Sequence, residues 1–210
     1  MMELPSKKYQ IILADPPWQY QDKNCNGACA THYSTMSVKQ ICDLPIKDLT
    51  DKDCVLFLWA TYPLLPEALQ VIKAWGFKYK TIAFQWVKRN KNNQGYFYGL
   101  GRWTRGNTEP CLLATKGKPT RLNNSVFQII DAPIKGHSRK PIAQYSLIEK
   151  LMGKQPRLEL FARSSWIDWD VWGNQTQSNG QKASSEPVLL TPIQNMLFNS
   201  EKINREAENK

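Results

Sequence analysis

The chain has 210 residues, a formal net charge of +10 and a pI near 9.4. This length suffices for one α/β domain with a buried core, and the positive charge favours a polyanionic partner. No apolar stretch reaches the roughly 20 residues that cross a membrane, and the first residues lack a signal-peptide pattern. Composition therefore argues against a membrane or secreted protein, and we expect a cytoplasmic protein without a membrane partner.

The first predicted strand, Tyr9–Ala14, ends at a corner with distinctive chemistry. Its apolar run is typical of a buried strand, and Pro16 and Pro17 cannot continue a ladder. Pro16 and Pro17 have carbonyl groups that accept hydrogen bonds but no backbone N–H. Neither proline can therefore compete with an incoming amino group for the Asp15 carboxylate. The ring of Trp18 offers a stacking surface. These parts suit the exocyclic amine of a flat base, although Pro-Pro after a strand is also an ordinary turn.

The elements that follow alternate between helix and strand, which predicts an α/β fold. A polar loop over residues 19–31 is interpreted as a lid or substrate loop, and Ser37 with Gln40 forms a capping box that begins a short helix. Further along we predict strand Cys54–Trp59 and then a helix that ends at Gly76 and has Leu65, Leu69, Ile72 and Trp75 at helical spacing. Strand Thr81–Val87 follows, then a loop over Lys88–Asn107, and then strand Cys111–Ala114, which is predicted to pair with Val126–Ile130. The last two predicted elements are helix Pro141–Met152, ended by Gly153, and strand Arg157–Ala162.

Positive charge is concentrated in the middle of the chain. From Lys73 to Arg121 there are 11 Lys or Arg residues and one acid, Glu109. Six Trp or Tyr residues are interleaved with them, namely Trp75, Tyr79, Trp86, Tyr96, Tyr98 and Trp103. Cations with aromatic rings suit phosphates and bases together, so this region predicts nucleic-acid binding. The alternative is a solvated basic face over a Trp-rich core.

The five cysteines predict neither disulfides nor a metal site. They contain no Cys-x-x-Cys pair, and a zinc site built on Cys25, Cys29 and His32 would lack an evident fourth ligand. We therefore expect reduced cysteines and no metal.

A cluster of polar donors precedes the predicted helix Pro141–Met152. It contains Ser138, Arg139 and Lys140. The first N–H groups of a helix point outward and favour anions, so this cluster is interpreted as a cofactor-binding element. The alternative is a capped helix with two surface cations.

Several separated motifs resemble those of the MT-A70 family of adenine-N6 methyltransferases. They are Asp15-Pro16-Pro17-Trp18, the segment Tyr33–Ser37, the stretch Gly101–Glu109, the element Ser138–Pro141, and Glu159–Arg163 followed by Trp169–Gln175. The resemblance covers roughly Lys8 to Gln175 and implies a Rossmann-like class I methyltransferase fold in circularly permuted order, catalytic strand first and cofactor strand last. Residues 1–175 then form the methyltransferase domain, and 176–210 form a polar tail, with a short helix possible at Pro192–Ile203.

The resemblance also implies roles for individual residues. S-adenosylmethionine is the implied cofactor, and its expected contacts are Asp15, Ser138, Lys140, Phe161, Arg163, Asn174 and Gln175. In catalysis Asp15 and the Pro16 carbonyl would accept N–H bonds from adenine N6, with Pro17 and Trp18 completing the corner and Trp18 stacking on the flipped base. Substrate contacts are expected from Tyr20, His32, Tyr33, Lys88, Arg89, Arg102, Arg105, Asn107 and Glu109.

The implied activity is methyl transfer to N6 of adenine, with DNA as the expected substrate. The chain is little more than a catalytic domain, and its compact form resembles bacterial and phage members of the family, which act on DNA. An RNA methyltransferase of the same chemistry is the alternative. A cytosine-N4 enzyme and a non-catalytic nucleic-acid-binding subunit are weaker, the latter because the Asp-Pro-Pro-Trp corner is intact. A homodimer is compatible with the sequence.

Overall fold

A seven-stranded sheet lies at the centre of the computed structural model, which describes residues 4–19, 35–101, 103–136 and 139–173. Its strands are β1 (Tyr9–Ala14), β2 (Thr50–Trp59), β3 (Lys78–Arg89), β4 (Thr108–Lys116), β5 (Ile129–Pro133), β6 (Arg157–Leu160) and β7 (Asp170–Trp172). Their order across the sheet is β5-β3-β4-β2-β1-β6-β7. β4 runs antiparallel to both of its neighbours, and all other pairs are parallel.

The helices of the described ranges are α1 (Val38–Cys42), α2 (Leu65–Ala74) and α3 (Ala143–Met152), with 3₁₀ turns at Ile46–Leu49 and Tyr62–Leu64. The predicted capping box is confirmed. The Ser37 side chain accepts from the Gln40 backbone N–H, and the Gln40 side chain accepts from the Ser37 backbone N–H. α3 ends at Gly153, whose φ of 79° lies in the left-handed region that favours glycine.

Apolar side chains of the sheet alternate between two cores. In β1, Ile12 and Ala14 pack in the core that contains α1 and α2, whereas Ile11 and Leu13 pack in the core that contains α3. All four side chains are at most 1% exposed. Burial on both faces is the physical reason why β1 is a continuous apolar run instead of an alternating one.

The strand ends next to the candidate site residues lie at one edge of the sheet. The parallel strands β1, β2 and β6 have their carboxyl ends at this edge, and β3, which runs antiparallel to β4, has its carboxyl end there too. Because β4 runs the opposite way, it begins at the same edge. Asp15, which follows β1, therefore shares an edge with Glu109 at the start of β4.

The structure corrects several sequence-based boundaries. β2 begins at Thr50, four residues before the predicted strand, and β3 extends to Arg89, so the long loop begins at Asn90. β5 occupies Ile129–Pro133 and pairs with β3 in parallel, so the predicted pairing of Val126–Ile130 with the strand around Cys111–Ala114 is wrong. The reason is that a parallel partner lies far along the chain and leaves no local turn signal. Leu69 is 41% exposed although its spacing matches the α2 core residues.

Two predicted segments lie outside the described residues. They are the loop 19–31 from residue 20 onward, and the polar tail with the short helix proposed for Pro192–Ile203. Within the described ranges, every helix is too short or too polar to cross a membrane.

Candidate active site

Asp15 is held at the carboxyl end of β1 by a single lysine. Lys140 Nζ donates to both Asp15 carboxylate oxygens at 2.8 Å, and the two residues are 125 positions apart in sequence. The Lys140 side chain is 5% exposed, while that of Asp15 is 21% exposed. The carboxylate is thus held by a buried cation, and the Asp15 side chain as a whole remains partly exposed. Sequence analysis assigned both residues to one cofactor site, and the structure brings them into contact.

A second carboxylate continues this ion-pair network. Lys140 Nζ lies 3.1 Å from Glu109 Oε1, and Lys88 Nζ lies 2.8 Å from Glu109 Oε2. The Glu109 and Lys88 side chains are 10% and 19% exposed. Charges therefore alternate in the order Asp15, Lys140, Glu109, Lys88 from the end of β1 to β3. Sequence analysis singled out all four residues but did not predict that they contact one another.

Burial and pairing act in opposite directions on the protons of this network. Burial disfavours the Lys140 ammonium, but the carboxylates of Asp15 and Glu109 outweigh this and raise its pKa. Burial also disfavours the Glu109 carboxylate, yet Lys140 and Lys88 lower its pKa. Burial raises the pKa of Asp15, against the opposing effect of Lys140. Lys140 is therefore the fixed positive charge that keeps the two carboxylates together.

The Pro-Pro corner after Asp15 is closed by backbone hydrogen bonds. The Trp18 N–H donates to the Pro16 carbonyl at 2.8 Å, and the Met36 N–H donates to the Pro17 carbonyl at 2.8 Å. The second bond ties the corner to the segment that begins α1. Both proline carbonyls accept a bond within the protein, so an adenine amino group would have to share the Pro16 oxygen through its second lone pair.

Trp18 does not form the open stacking surface that the sequence predicted. It is 6% exposed and packs in the core with α1 and α2, and its Nε1–H donates to the Trp59 carbonyl at 3.1 Å. A ring buried this far has no free face for a base. In this conformation Trp18 anchors the corner to β2, and the stacking role needs a rearrangement that exposes the ring.

The carboxyl end of β6 lies beside that of β1. Phe161 has a φ of 63°, which is unfavourable for a residue other than glycine, and its ring meets Trp172 edge-on at 5.5 Å. A Cβ on Gly173 would lie 2.2 Å from the Ala162 carbonyl oxygen, so only glycine allows this close approach. The positive charge of Arg163 acts on Asp15 and lowers the pKa of Asp15, against the effect of burial. Arg163 is thus close enough to act electrostatically on Asp15, which sequence analysis assigned to the same cofactor site.

The predicted substrate cations differ in their surroundings. Arg89 makes two hydrogen bonds of 2.6 Å to Asp131 on β5, and Lys88 is paired with Glu109. Both lie in β3 rather than in a loop, with side chains 24% and 19% exposed, so they are poorly placed for phosphate contacts. Arg105 is exposed, and its guanidinium lies 4.3 Å from the centre of the Tyr98 ring. Asn107 uses its carbonyl to accept from the Lys88 backbone N–H.

Several predicted site residues lie outside the described residues. They are Tyr20, His32, Tyr33, Arg102, Ser138, Asn174 and Gln175. The cysteines weighed for zinc, Cys25 and Cys29, lie there as well. Among the residues that the structure describes, no group of His, Cys, Asp or Glu is arranged to hold a metal ion.

Sequence analysis missed a buried acid beneath the site. Glu159 on β6 is 9% exposed and accepts a hydrogen bond of 2.9 Å from the Tyr145 hydroxyl. Burial raises the pKa of Glu159 to about 8, with a further contribution from the nearby Asp15 charge. An acid in the middle of an apolar strand was the available sequence signal. Its carboxyl group adds a second proton-holding group near Asp15.

The titration of Glu159 should make stability depend on pH. The folded state has the raised pKa of about 8 and an ordinary glutamate titrates near 4.5, so the folded state binds more protons between these values. The free energy of unfolding should therefore fall as pH rises from about 4.5 to about 8. In Glu159→Gln this fall should be reduced, as measured by urea unfolding at pH 5, 6.5 and 8.

A matched control for that measurement is Asp43→Asn, at an exposed acid paired with Lys39. It should leave the pH profile as in the parent protein. An unchanged slope in Glu159→Gln would mean that Glu159 is already ionised in the folded protein.

Comparison with known proteins assigns the class. The family profile of MT-A70 matches residues 9–175, and the mixed α/β sheet with its carboxylate corner is consistent with a methyltransferase fold. The chain belongs to the MT-A70 family and is a methyltransferase.

Individual relatives differ in how much of their length they share with this chain. The type II methyltransferase M.MunI of a Mycoplasma species is 35% identical over 197 residues, which cover 84% of this chain and 82% of that protein. The N(6)-adenosine-methyltransferase MT-A70-like protein of Drosophila melanogaster is 32% identical, and the N(6)-adenosine-methyltransferase catalytic subunit METTL3 of Homo sapiens is 30% identical. The chain spans 29% and 28% of these two proteins, respectively.

Proposed function

We propose that this methyltransferase transfers a methyl group from S-adenosylmethionine to N6 of adenine in DNA. The observation that carries the proposal is the Asp15 carboxylate, both oxygens of which accept from the buried Lys140 while the Asp15 side chain remains 21% exposed. Each carboxylate oxygen has two lone pairs, of which Lys140 engages one on each oxygen. A remaining lone pair suits one N–H group of an amino substituent on a flat base, and the Pro16 carbonyl is the proposed acceptor for the other.

The residues around Asp15 fit the proposed cofactor. S-adenosylmethionine combines positive sulfonium and ammonium groups with a carboxylate and ribose hydroxyls, so its site needs both carboxylate and cationic side chains. Asp15 provides the first, and Arg163 provides a cation whose charge reaches Asp15. Phe161 and Arg163, with Ser138, Asn174 and Gln175, are the residues proposed to hold the cofactor. When bound, it supplies the electrophilic methyl group.

Lys140 is better explained as a positioning residue than as a direct cofactor contact. Its ammonium is engaged by three carboxylate oxygens, two from Asp15 and one from Glu109. An ammonium has three N–H donors, so this set uses all of them. Lys140 therefore acts on the reaction through Asp15.

Orientation and electrostatics then account for the chemistry. The adenine amino group is a poor nucleophile because its lone pair is delocalised into the ring. When Asp15 and the Pro16 carbonyl accept its N–H bonds, electron density at N6 rises and the amine is held in one orientation. The fixed Asp15–Lys140 geometry requires little reorganisation when charge develops on N6. The negative charge of Asp15 stabilises the positive charge that grows on the attacking nitrogen.

The similarity to the MT-A70 family also supports proposals about strand order and domain boundaries. The catalytic carboxylate follows the first strand, and the proposed cofactor residues follow β6, near the end of the family match at residue 175. This supports a class I methyltransferase fold in circularly permuted order, with residues 1–175 as the methyltransferase domain and 176–210 as a tail.

DNA is favoured as the substrate by the extent of similarity. The chain matches most of the type II methyltransferase M.MunI, but less than a third of the N(6)-adenosine-methyltransferases. RNA is the second candidate, because those adenosine methyltransferases are themselves 30–32% identical to the chain.

Matched oligonucleotides test the proposal. DNA and RNA of one sequence, each single- and double-stranded, should be incubated with S-adenosylmethionine and protein, and their nucleosides analysed by mass spectrometry. We expect N6-methyladenine to form faster in DNA. Faster turnover of RNA in both forms would overturn the DNA assignment, and N4-methylcytosine as the product would overturn the choice of base.

A further inference from the structure

One exposed tryptophan has no role in the proposed site. It is Trp103, in a segment that we call the Trp103 loop and define as residues 99–101 and 103–106. The Trp103 side chain is 98% exposed, and Leu100 in the same loop is 86% exposed. Large apolar side chains exposed to this degree mark binding surfaces when they occur together.

Close backbone contacts give the Trp103 loop a narrow shape. A Cβ on Gly99 would lie 2.1 Å from the Gly106 carbonyl oxygen, and a Cβ on Gly101 would lie 2.0 Å from the Thr104 carbonyl oxygen. Both glycines are therefore required for the two sides of the loop to approach each other. The loop is therefore narrow, and Trp103 lies at its turn, between Gly101 and Thr104.

The loop emerges from the same edge of the sheet as the active site. It is part of the connection, residues 90–107, between the carboxyl end of β3 and the start of β4, and the Lys88 N–H donates to the Asn107 carbonyl at 2.8 Å at the base of that connection. Asn107 and Thr108 alone separate the loop from Glu109, which contacts Lys140 and through it Asp15. A substrate at Asp15 therefore lies next to the base of the loop.

The chemistry of the loop indicates a nucleic-acid occupant. Arg105 lies over the ring of Tyr98, which is itself 68% exposed. The region from Lys73 to Arg121 has 11 basic residues and one acid. Positive charge attracts the phosphate backbone and the exposed rings stack on bases, so duplex DNA is the occupant that uses both features.

We propose that Trp103 inserts into the base stack of duplex DNA and fills the space left when the target adenine is flipped toward Asp15. The proposal rests on the proposed function and adds a residue that opens the duplex. Flipping a base costs unpairing and unstacking, and an aromatic wedge compensates by stacking on the neighbouring bases. The loop must be narrow because only the Trp103 side chain enters between the base pairs, while the rest of the protein stays outside the duplex.

The experiment compares Trp103→Ala with the parent protein on two substrates of one sequence, duplex DNA and single-stranded DNA. Trp103→Ala should lower kcat/KM about tenfold on the duplex, since base–aromatic stacking has effects of this size, and change it little on the single strand. Trp103→Phe should restore part of the duplex rate. With 2-aminopurine at the target position, the fluorescence increase on binding should be smaller in Trp103→Ala.

Phe127→Ala is the matched control. Phe127 is 54% exposed and precedes β5, whose amino end lies at the opposite edge of the sheet, so the variant should behave as the parent protein does. Equal rates on the duplex for Trp103→Ala and the parent would overturn the wedge, and so would an equal loss on both substrates. A change of oligomeric state in Trp103→Ala by light scattering would reassign the loop to a protein contact. If the parent protein methylates neither DNA form, the proposed function itself fails.

Discussion

Replacing Asp15 by Asn should abolish methyl transfer while the protein remains folded. The amide keeps the size of the carboxylate but loses its negative charge, and one of its two acceptor positions becomes a donor. Removing a single electrostatic contact to the reacting group typically costs about 100-fold or more in kcat. We expect a loss of this size on single-stranded DNA, where base flipping does not limit the rate. Binding of S-adenosylhomocysteine by calorimetry should weaken much less than the rate falls, because Phe161 and Arg163, which are also proposed to hold the cofactor, are unchanged.

The matched control is Asp131→Asn, which changes another carboxylate that is bonded twice to a cation, here Arg89, but outside the active site. It should retain most of the activity. If Asp15→Asn kept more than about a tenth of the parent rate, the adenine amino group would be held by other residues.

Replacing Lys140 by Met should both destabilise the protein and inactivate it. Methionine fills much of the volume of the lysine side chain, but leaves Asp15 and Glu109 without their shared cation. Removing one partner of a buried ion pair typically costs about 3–5 kcal/mol, because the remaining charge is buried without compensation. The free energy of unfolding from urea titration should fall by about that amount.

Lys154→Met is the control for this measurement. Lys154 pairs with Asp168 at the surface, where the side chains are 72% and 57% exposed, so its loss should cost about 0–1 kcal/mol. A similarly small cost for Lys140→Met would show that Asp15 and Glu109 are satisfied by other groups. A normal reaction rate in a destabilised Lys140→Met would show that Lys140 has a structural role only.

The sequence predicted those features that depend on local chemistry. β1 has the predicted bounds, because an apolar run followed by two prolines specifies both a buried strand and its end. The capping box at Ser37 and the stop at Gly153 are local as well, since each depends on a few consecutive residues. The family motifs identified the class of enzyme, which the comparisons confirm.

Features that depend on distant partners could not be predicted in the same way. Arg89 resembled a free loop cation, but its partner Asp131 is 42 residues away and is brought to it by the parallel pairing of β3 with β5. Trp18 looked like an open stacking surface, but its indole N–H bonds to Trp59, 41 residues along the chain. The identity of a residue determines which hydrogen bonds and ion pairs it can make. Which of these form for Arg89 and Trp18 depends on the strands that the fold brings next to them.

The position of β1 in the sheet also determines when the enzyme can become active. β1 is the first strand of the chain and pairs with β2 on one side and β6 on the other, and β6 begins only at Arg157. While residues 157–160 of a nascent chain are still inside the ribosome, one side of β1 has no partner strand. Contacts of such long sequence separation form late and slow folding. Methyl transfer should therefore begin only after residues 157–160 have been synthesised and have paired with β1.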